Sequence, residues 1–235
     1  MSATRQRVLA HARWELGILL RNGEQLLLTL VIPPALLVGL KATSGIAPAM
    51  PAVLSASVLA TCFTSLAIGT GFERRSGAIA YLATTPLTRV DLLLGKLLAT
   101  GAVALLSALL TVAVGLALGW APTADWVAVL AMLAAGGAAG AAWAVLLAGT
   151  VRAEAVLAVA NGLFVALVAF GGIVFPAASM PTAVGTFVAW LPSAALGDGL
   201  RAAVDGAAFP LTSVLYLLAW AVIGAALAKQ HFKWD

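Results

Sequence analysis

Six long apolar runs separated by short polar breaks dominate the chain. They fall near Leu26–Leu40 (continuing weakly past Lys41), Val53–Thr70, Leu97–Leu118, Val127–Thr150, Ala155–Phe175 and Leu211–Ala228. Each is close to the ~20 residues that an α-helix needs to cross ~30 Å of hydrocarbon. The pattern therefore predicts an all-α, six-span helical body, a single unit over residues 1–235. A β-barrel would show alternating segments of ~10 residues instead. Pro33-Pro34 predicts a kink or break in the first run. Gly and Ala crowd runs three to five, as at Gly136, Gly137 and Gly140. Small residues let helices approach closely in lipid, so these runs are expected to pack together.

Three polar segments break the rhythm. In the first, residues 1–25, Thr4–Glu24 predicts an amphipathic helix. Val8, Leu9, Ala12, Leu16, Leu19 and Leu20 form one face, with Arg7, His11 and Arg21 on the other. It reads as an interfacial helix on anionic headgroups or as a plain basic flank that sets topology. The second, residues 72–96, carries Glu73, Arg74, Arg75, Arg89, Asp91 and Lys96. Within it Ser76–Thr85 predicts a short helix, with Ile79, Leu82 and Ala83 on one face and Pro86 as its stop. A short helix between two spans can receive a push from a soluble partner. In the third, residues 176–210, Thr182–Leu191 and Ala194–Val204 predict two short helices. Pro192 separates them, Ser193 is positioned to cap the second, and Asp198 pairs with Arg201 at i, i+3. This segment is either a re-entrant hairpin or a loop lying flat on the membrane.

Composition agrees with the pattern: 63% hydrophobic, 9% charged, mean hydropathy +1.07, against about 25% charged in soluble domains. The net charge is +4, but its placement says more. With the N-terminus inside, the inner segments hold Arg5, Arg7, Arg13, Arg21, Arg74, Arg75, Arg89, Lys96, Arg152, Lys229 and Lys233, and the outer ones only Lys41 and Arg201. This bias predicts a multi-pass protein of the cytoplasmic membrane with both termini cytoplasmic. The basic N-terminus precedes any apolar run and lacks a small-residue cleavage site, so the first span is expected to direct insertion. The lone Cys62 cannot form an intrachain disulfide.

Catalytic chemistry is sparse. His11 and His231 sit in the terminal flanks, and HExxH, Cys-cluster, GxSxG and GxxxxGK[ST] patterns are missing. No catalytic residue, metal or cofactor is expected on the chain, and no nucleic-acid partner. No Asp, Glu, Lys or Arg is expected clearly inside a span, which argues against ion-driven transport. Asn161, the most polar residue within a run, fits an interhelical hydrogen bond or a substrate contact. A membrane body without an engine implies an engine on another chain.

Glu73, Gly77, Leu82, Pro86-Leu87, Arg89 and Gly95-Lys96 resemble the stretch after the second helix of ABC-2 type transporter permeases. Gly171–Pro176, Met180-Pro181 and Trp190–Arg201 resemble the region before that family's last helix. The resemblance implies an exporter subunit, paired in a homodimer or heterodimer in membrane lipid, above two ATPase subunits that hold ATP and Mg. Glu73, Arg74, Arg75, Ser76, Gly77, Ile79, Leu82 and Pro86 would then form the ATPase-coupling segment. Asn161, Phe164, Phe170 and Phe175 would face the pathway of a small amphiphilic or apolar cargo. Pro176, Pro181, Pro192, Asp198 and Arg201 would shape an outer gate. The competing reading is an ATP-independent membrane-anchored binding or immunity protein. Missing catalytic residues disfavour an intramembrane enzyme.

Overall fold

The computed structural model describes residues 3–82 and 84–231. Ala83 and Lys233 lie outside them. All regular structure among the described residues is helical. Helix α1 spans Ala3–Arg21, and α2 (Gly23–Ser44) and α3 (Ile46–Arg75) are the first two long apolar helices. A five-residue helix, α4 (Ala78–Leu82), leads to α5 (Arg89–Ala117), α6 (Trp126–Thr150) and α7 (Ala153–Phe170). Two short helices, α8 (Thr182–Ala189) and α9 (Pro192–Val204), precede α10 (Leu211–His231). Helices α2, α3, α5, α6, α7 and α10 are long and apolar enough to cross a membrane.

Several boundaries differ from expectation for physical reasons. Pro33-Pro34 does not end α2. Pro33 and Pro34 remove the two N–H groups that an α- or π-turn would point at the Thr29 carbonyl. The Ser107 hydroxyl donates to that carbonyl instead (2.5 Å), just where α2 passes through a π-segment at Leu27–Val31. Helix α5 starts eight residues before the expected Leu97, because Thr88 and Asp91 form a reciprocal capping box. Asp91 and Lys96 therefore lie in the first turns of a spanning helix rather than in a loop. Helix α4 is shorter than Ser76–Thr85, since Ser76 caps α3 and Gly77 (φ +78°) turns the chain left-handed. Ser193 does not cap α9; it lies in its first turn, buried, and donates to the Gly171 carbonyl at 2.7 Å.

Helices α3 and α6 form the centre; α3 is the most buried of the spans. They meet where Gly137 and Gly140 face Cys62 and Phe63, and these small residues let the two helices pack closely. Helix α9 lodges among α3, α6 and α10, with Leu196 over Gly136. Helices α6 and α10 run parallel: Met132 and Ser213 both approach Gly199, and Trp143 Nε1 donates to the Trp220 carbonyl at 3.1 Å. Chain direction thus brings α1, the α3–α5 connection, the α6–α7 connection and the end of α10 to one end of the bundle. This basic end carries most of the Lys and Arg. Lys41 and Arg201 lie toward the other end.

Candidate functional site

The last turn of α3 places Glu73, Arg74 and Arg75 in succession. Consecutive helical residues point ~100° apart, so three adjacent side chains reach three different neighbours. Glu73 Oε2 lies 2.5 Å from Lys96 Nζ on α5. Arg74 donates to the carbonyls of Ala148 and Val151, both at 2.7 Å, and so binds the C-terminal end of α6 where its dipole is negative. Arg75 Nη1 pairs with Glu154 Oε1 at the start of α7, at 2.7 Å. One turn of one helix therefore ties down three others.

These ties differ in environment. Arg75 and Glu154 are largely exposed, whereas the Lys96 side chain is 2% exposed. Lys96 Nζ also donates to Glu15 Oε1 of α1 at 2.6 Å. His11 Nε2 lies 3.3 Å from the same oxygen. Two carboxylates thus converge on one buried ammonium, Glu15 out of water and Glu73 partly exposed. The Lys96–Glu73 contact is close but not aligned as a hydrogen bond, and His11 Nε2 also has no aligned partner. Burial, then the Lys96 charge, holds the His11 imidazole below its ordinary pKa, with the Glu73 charge acting the other way. The ring stacks on Trp14 with centroids 5.7 Å apart. Arg7 Nε reaches Asp91 Oδ2 at 2.9 Å, so the carboxylate that caps α5 also anchors α1. Gly95 gives α1 this close approach, since a Cβ there would collide with the His11 ring.

This corrects the expected polarity of α1. Its buried face is Val8, His11, Ala12 and Glu15, turned toward α5, and His11 does not share an outer polar face with Arg21. Trp14, Ile18 and Leu20 are exposed.

Below the hub hangs α4. Ile79 is fully buried and Leu82 half-buried, which docks the helix. The Thr84 and Thr85 hydroxyls donate to the carbonyls of Tyr81 and Leu82, at 2.7 and 2.6 Å, and Pro86 is exposed beyond them. Ser76 Oγ donates to the Glu73 carbonyl at 3.1 Å. Tyr81 projects outward and is 72% exposed.

The other residues singled out from the sequence do not meet the hub. Asn161, Phe170 and Phe175 are exposed and Phe164 half-buried. None of these four lines the two apolar cavities found among the described residues. At the far end, Pro176 precedes a 3₁₀ turn at Ala177–Ser179, Pro181 precedes α8 and Pro192 opens α9. Arg201 donates to Ile173 O (2.8 Å), Gly172 O (2.5 Å) and Asp198 Oδ1 (3.0 Å). Among the described residues, no three His, Cys, Asp or Glu side chains gather as a metal site.

Sequence reasoning passed over Glu15, Tyr81 and the role of Asp91. The signals were there: Glu15 is an acid in a basic helix, Thr88-x-x-Asp91 is a capping box, and Tyr81 falls opposite Ile79.

A family model described as "ABC-2 family transporter protein" matches residues 32–228. No curated protein matches the sequence.

Proposed function

Because the chain belongs to the ABC-2 family of transporter proteins and is a multi-pass membrane component of that kind, we propose that it is the permease of an ATP-driven exporter. The basic end faces the cytoplasm, as the charge bias favours. Two separate ATPase subunits dock beneath it and supply ATP and Mg²⁺ chemistry. A small amphiphilic or apolar molecule leaves outward through a pathway shared with a second permease. Helices α2 and α7, as sparsely buried as α10, form that shared face, with Asn161, Phe164, Phe170 and Phe175 on or near α7. At the outer end, α8 and α9 act as a re-entrant gate held by Arg201 and framed by Pro176, Pro181 and Pro192.

The observation that carries this reading is the three-way tie at the end of α3, with α4 directly below it. A push on α4 reaches Ile79, then the last turn of α3, and from there α5, α6 and α7 together. Glu73, Arg74 and Arg75 are already engaged within the chain, so they transmit movement. Tyr81, exposed on α4, contacts the ATPase.

The test is purification of the tagged chain in mild detergent from its native host, with identification of what accompanies it. A co-purifying protein with a GxxxxGK[ST] loop, whose hydrolysis depends on this chain and falls in Tyr81→Ala while thermal stability holds, supports the reading. If the chain comes alone under conditions that keep other membrane complexes intact, the ATP-independent binding reading replaces it.

A further inference from the structure

On the face where α6 forms a floor between α5 and α10, an apolar furrow opens at the basic end. Its volume is about 460 Å³, within the range of small-ligand sites. The floor is Ala138, Ala141 and Ala142, which carry nothing beyond Cβ, so the furrow is deep. Leu97 and Val222 stand on its walls, and Lys229 sits at its mouth. Among the described residues, Lys229 is its only charged lining residue.

Length and charge together narrow the occupant. The α10 residues that border the furrow run from Leu218 to Lys229, about 16 Å at the helical rise. That is close to half of a ~30 Å hydrocarbon core. An unbranched acyl chain, slimmer than a helix of ~10 Å diameter, matches a furrow of this length and volume. A lysine stem can follow an apolar wall and carry its ammonium to headgroup depth, where a negative group is favoured.

We propose that this furrow binds an anionic membrane lipid from the leaflet at the basic end, with one acyl chain on the alanine floor of α6 and the phosphate at Lys229. The site is separate from the hub and from the α2 and α7 faces, and it does not depend on the exporter reading.

The experiment uses the full chain, stripped of lipid in detergent, with phosphatidylglycerol or phosphatidylcholine of identical chains added back. Native mass spectrometry reads the lipid-bound fraction, and thermal denaturation reads stability. Phosphatidylglycerol should be retained about fivefold better, the factor expected of one lysine at an anionic surface. Lys229→Gln should bring it to the phosphatidylcholine level with the fold intact. Ala225→Phe, which fills the furrow from an exposed wall position, should lower retention of both lipids. Equal retention of the two lipids by the unaltered chain overturns the proposal. So does an Ala225→Phe chain that keeps both lipids, or one that instead shifts the monomer–dimer balance, which would make this face a protein interface.

Discussion

At the basic end, the last turn of α3 grips three neighbouring helices through charged side chains. At the far end, α9 lies among α3, α6 and α10 and holds them mainly by packing, with Leu196 on Gly136 and the Arg201 guanidinium on two carbonyls. The difference bears on how motion passes. A packed helix moves its neighbours only while it stays wedged, and it slides along small residues at little cost. A side chain bonded across a gap carries displacement in a set direction. Under the proposed function, the basic end would transmit and the far end would open and reseat. The comparison can be broken by removing single ties.

The largest effect is expected at Lys96. Lys96→Ala leaves a buried Glu15 and a partly exposed Glu73 facing each other without a counter-charge. Breaking such a pair costs about 3–5 kcal/mol, so the midpoint of thermal unfolding should fall steeply, and α1 should come off α5. Adding Glu15→Gln and Glu73→Gln to Lys96→Met removes the stranded charges and should recover most of the loss. If Lys96→Ala unfolds like the unaltered chain, the cluster does not hold α1. By the same reasoning, Glu73→Ala should destabilise the fold itself rather than report on ATPase contact alone.

Arg74 and Arg201 make a matched pair across the bundle, each binding two carbonyls. Either one changed to Ala should cost about 1–3 kcal/mol, an ordinary loss of charged hydrogen bonds. The two should part in function. Arg74→Ala should reduce coupling between hydrolysis and transport, while Arg201→Ala should leave hydrolysis alone and alter transport only. Equal effects on both readouts would remove the distinction between the two ends. Arg75→Ala should be milder still, below about 1 kcal/mol, because its pair with Glu154 stands in water.

The body of the fold was readable because its signals are local. Long apolar runs gave six spans and Lys/Arg placement grouped their ends, though several boundaries moved by a turn or more. Capping chemistry moved the start of α5, and a hydroxyl from another helix satisfied the Thr29 carbonyl that Pro33-Pro34 leave without a donor. Both α9 and the pairing of Asp198 with Arg201 were also legible, from proline punctuation and i, i+3 spacing. The hub was legible only as a list of charges. Glu73 is an acid beside Arg74 and Arg75, but its partner lies on the far side of a turn and a short helix. Arg74 binds main-chain carbonyls, which no side-chain pattern announces. Glu15 and Lys96 are 81 residues apart, a contact that periodicity cannot reach. Exposure of Tyr81 follows only once Ile79 is known to be buried.

The smallest effect separates the ends by pH. His11 faces Glu15 on its own helix, Glu73 from α3, and Lys96 from α5, with Gly95 against its ring. Its pKa lies below the ordinary 6.5 while α1 is docked. The imidazole therefore takes up a proton more readily when α1 comes away, and the docked state loses stability as pH falls through about 6.5. A window from about pH 7.5 to 5.5 spans the ordinary titration of a histidine, and His11→Gln separates its share from that of the neighbouring carboxylates. Across it the unfolding midpoint of the unaltered chain should drop, and His11→Gln should narrow the drop, while Arg201→Ala should leave its width unchanged. An equal drop in His11→Gln would mean that the ring proton is taken up without disturbing α1. The contact through Gly95 would then hold by shape alone, and the basic end would differ from the far end only in its permanent charges.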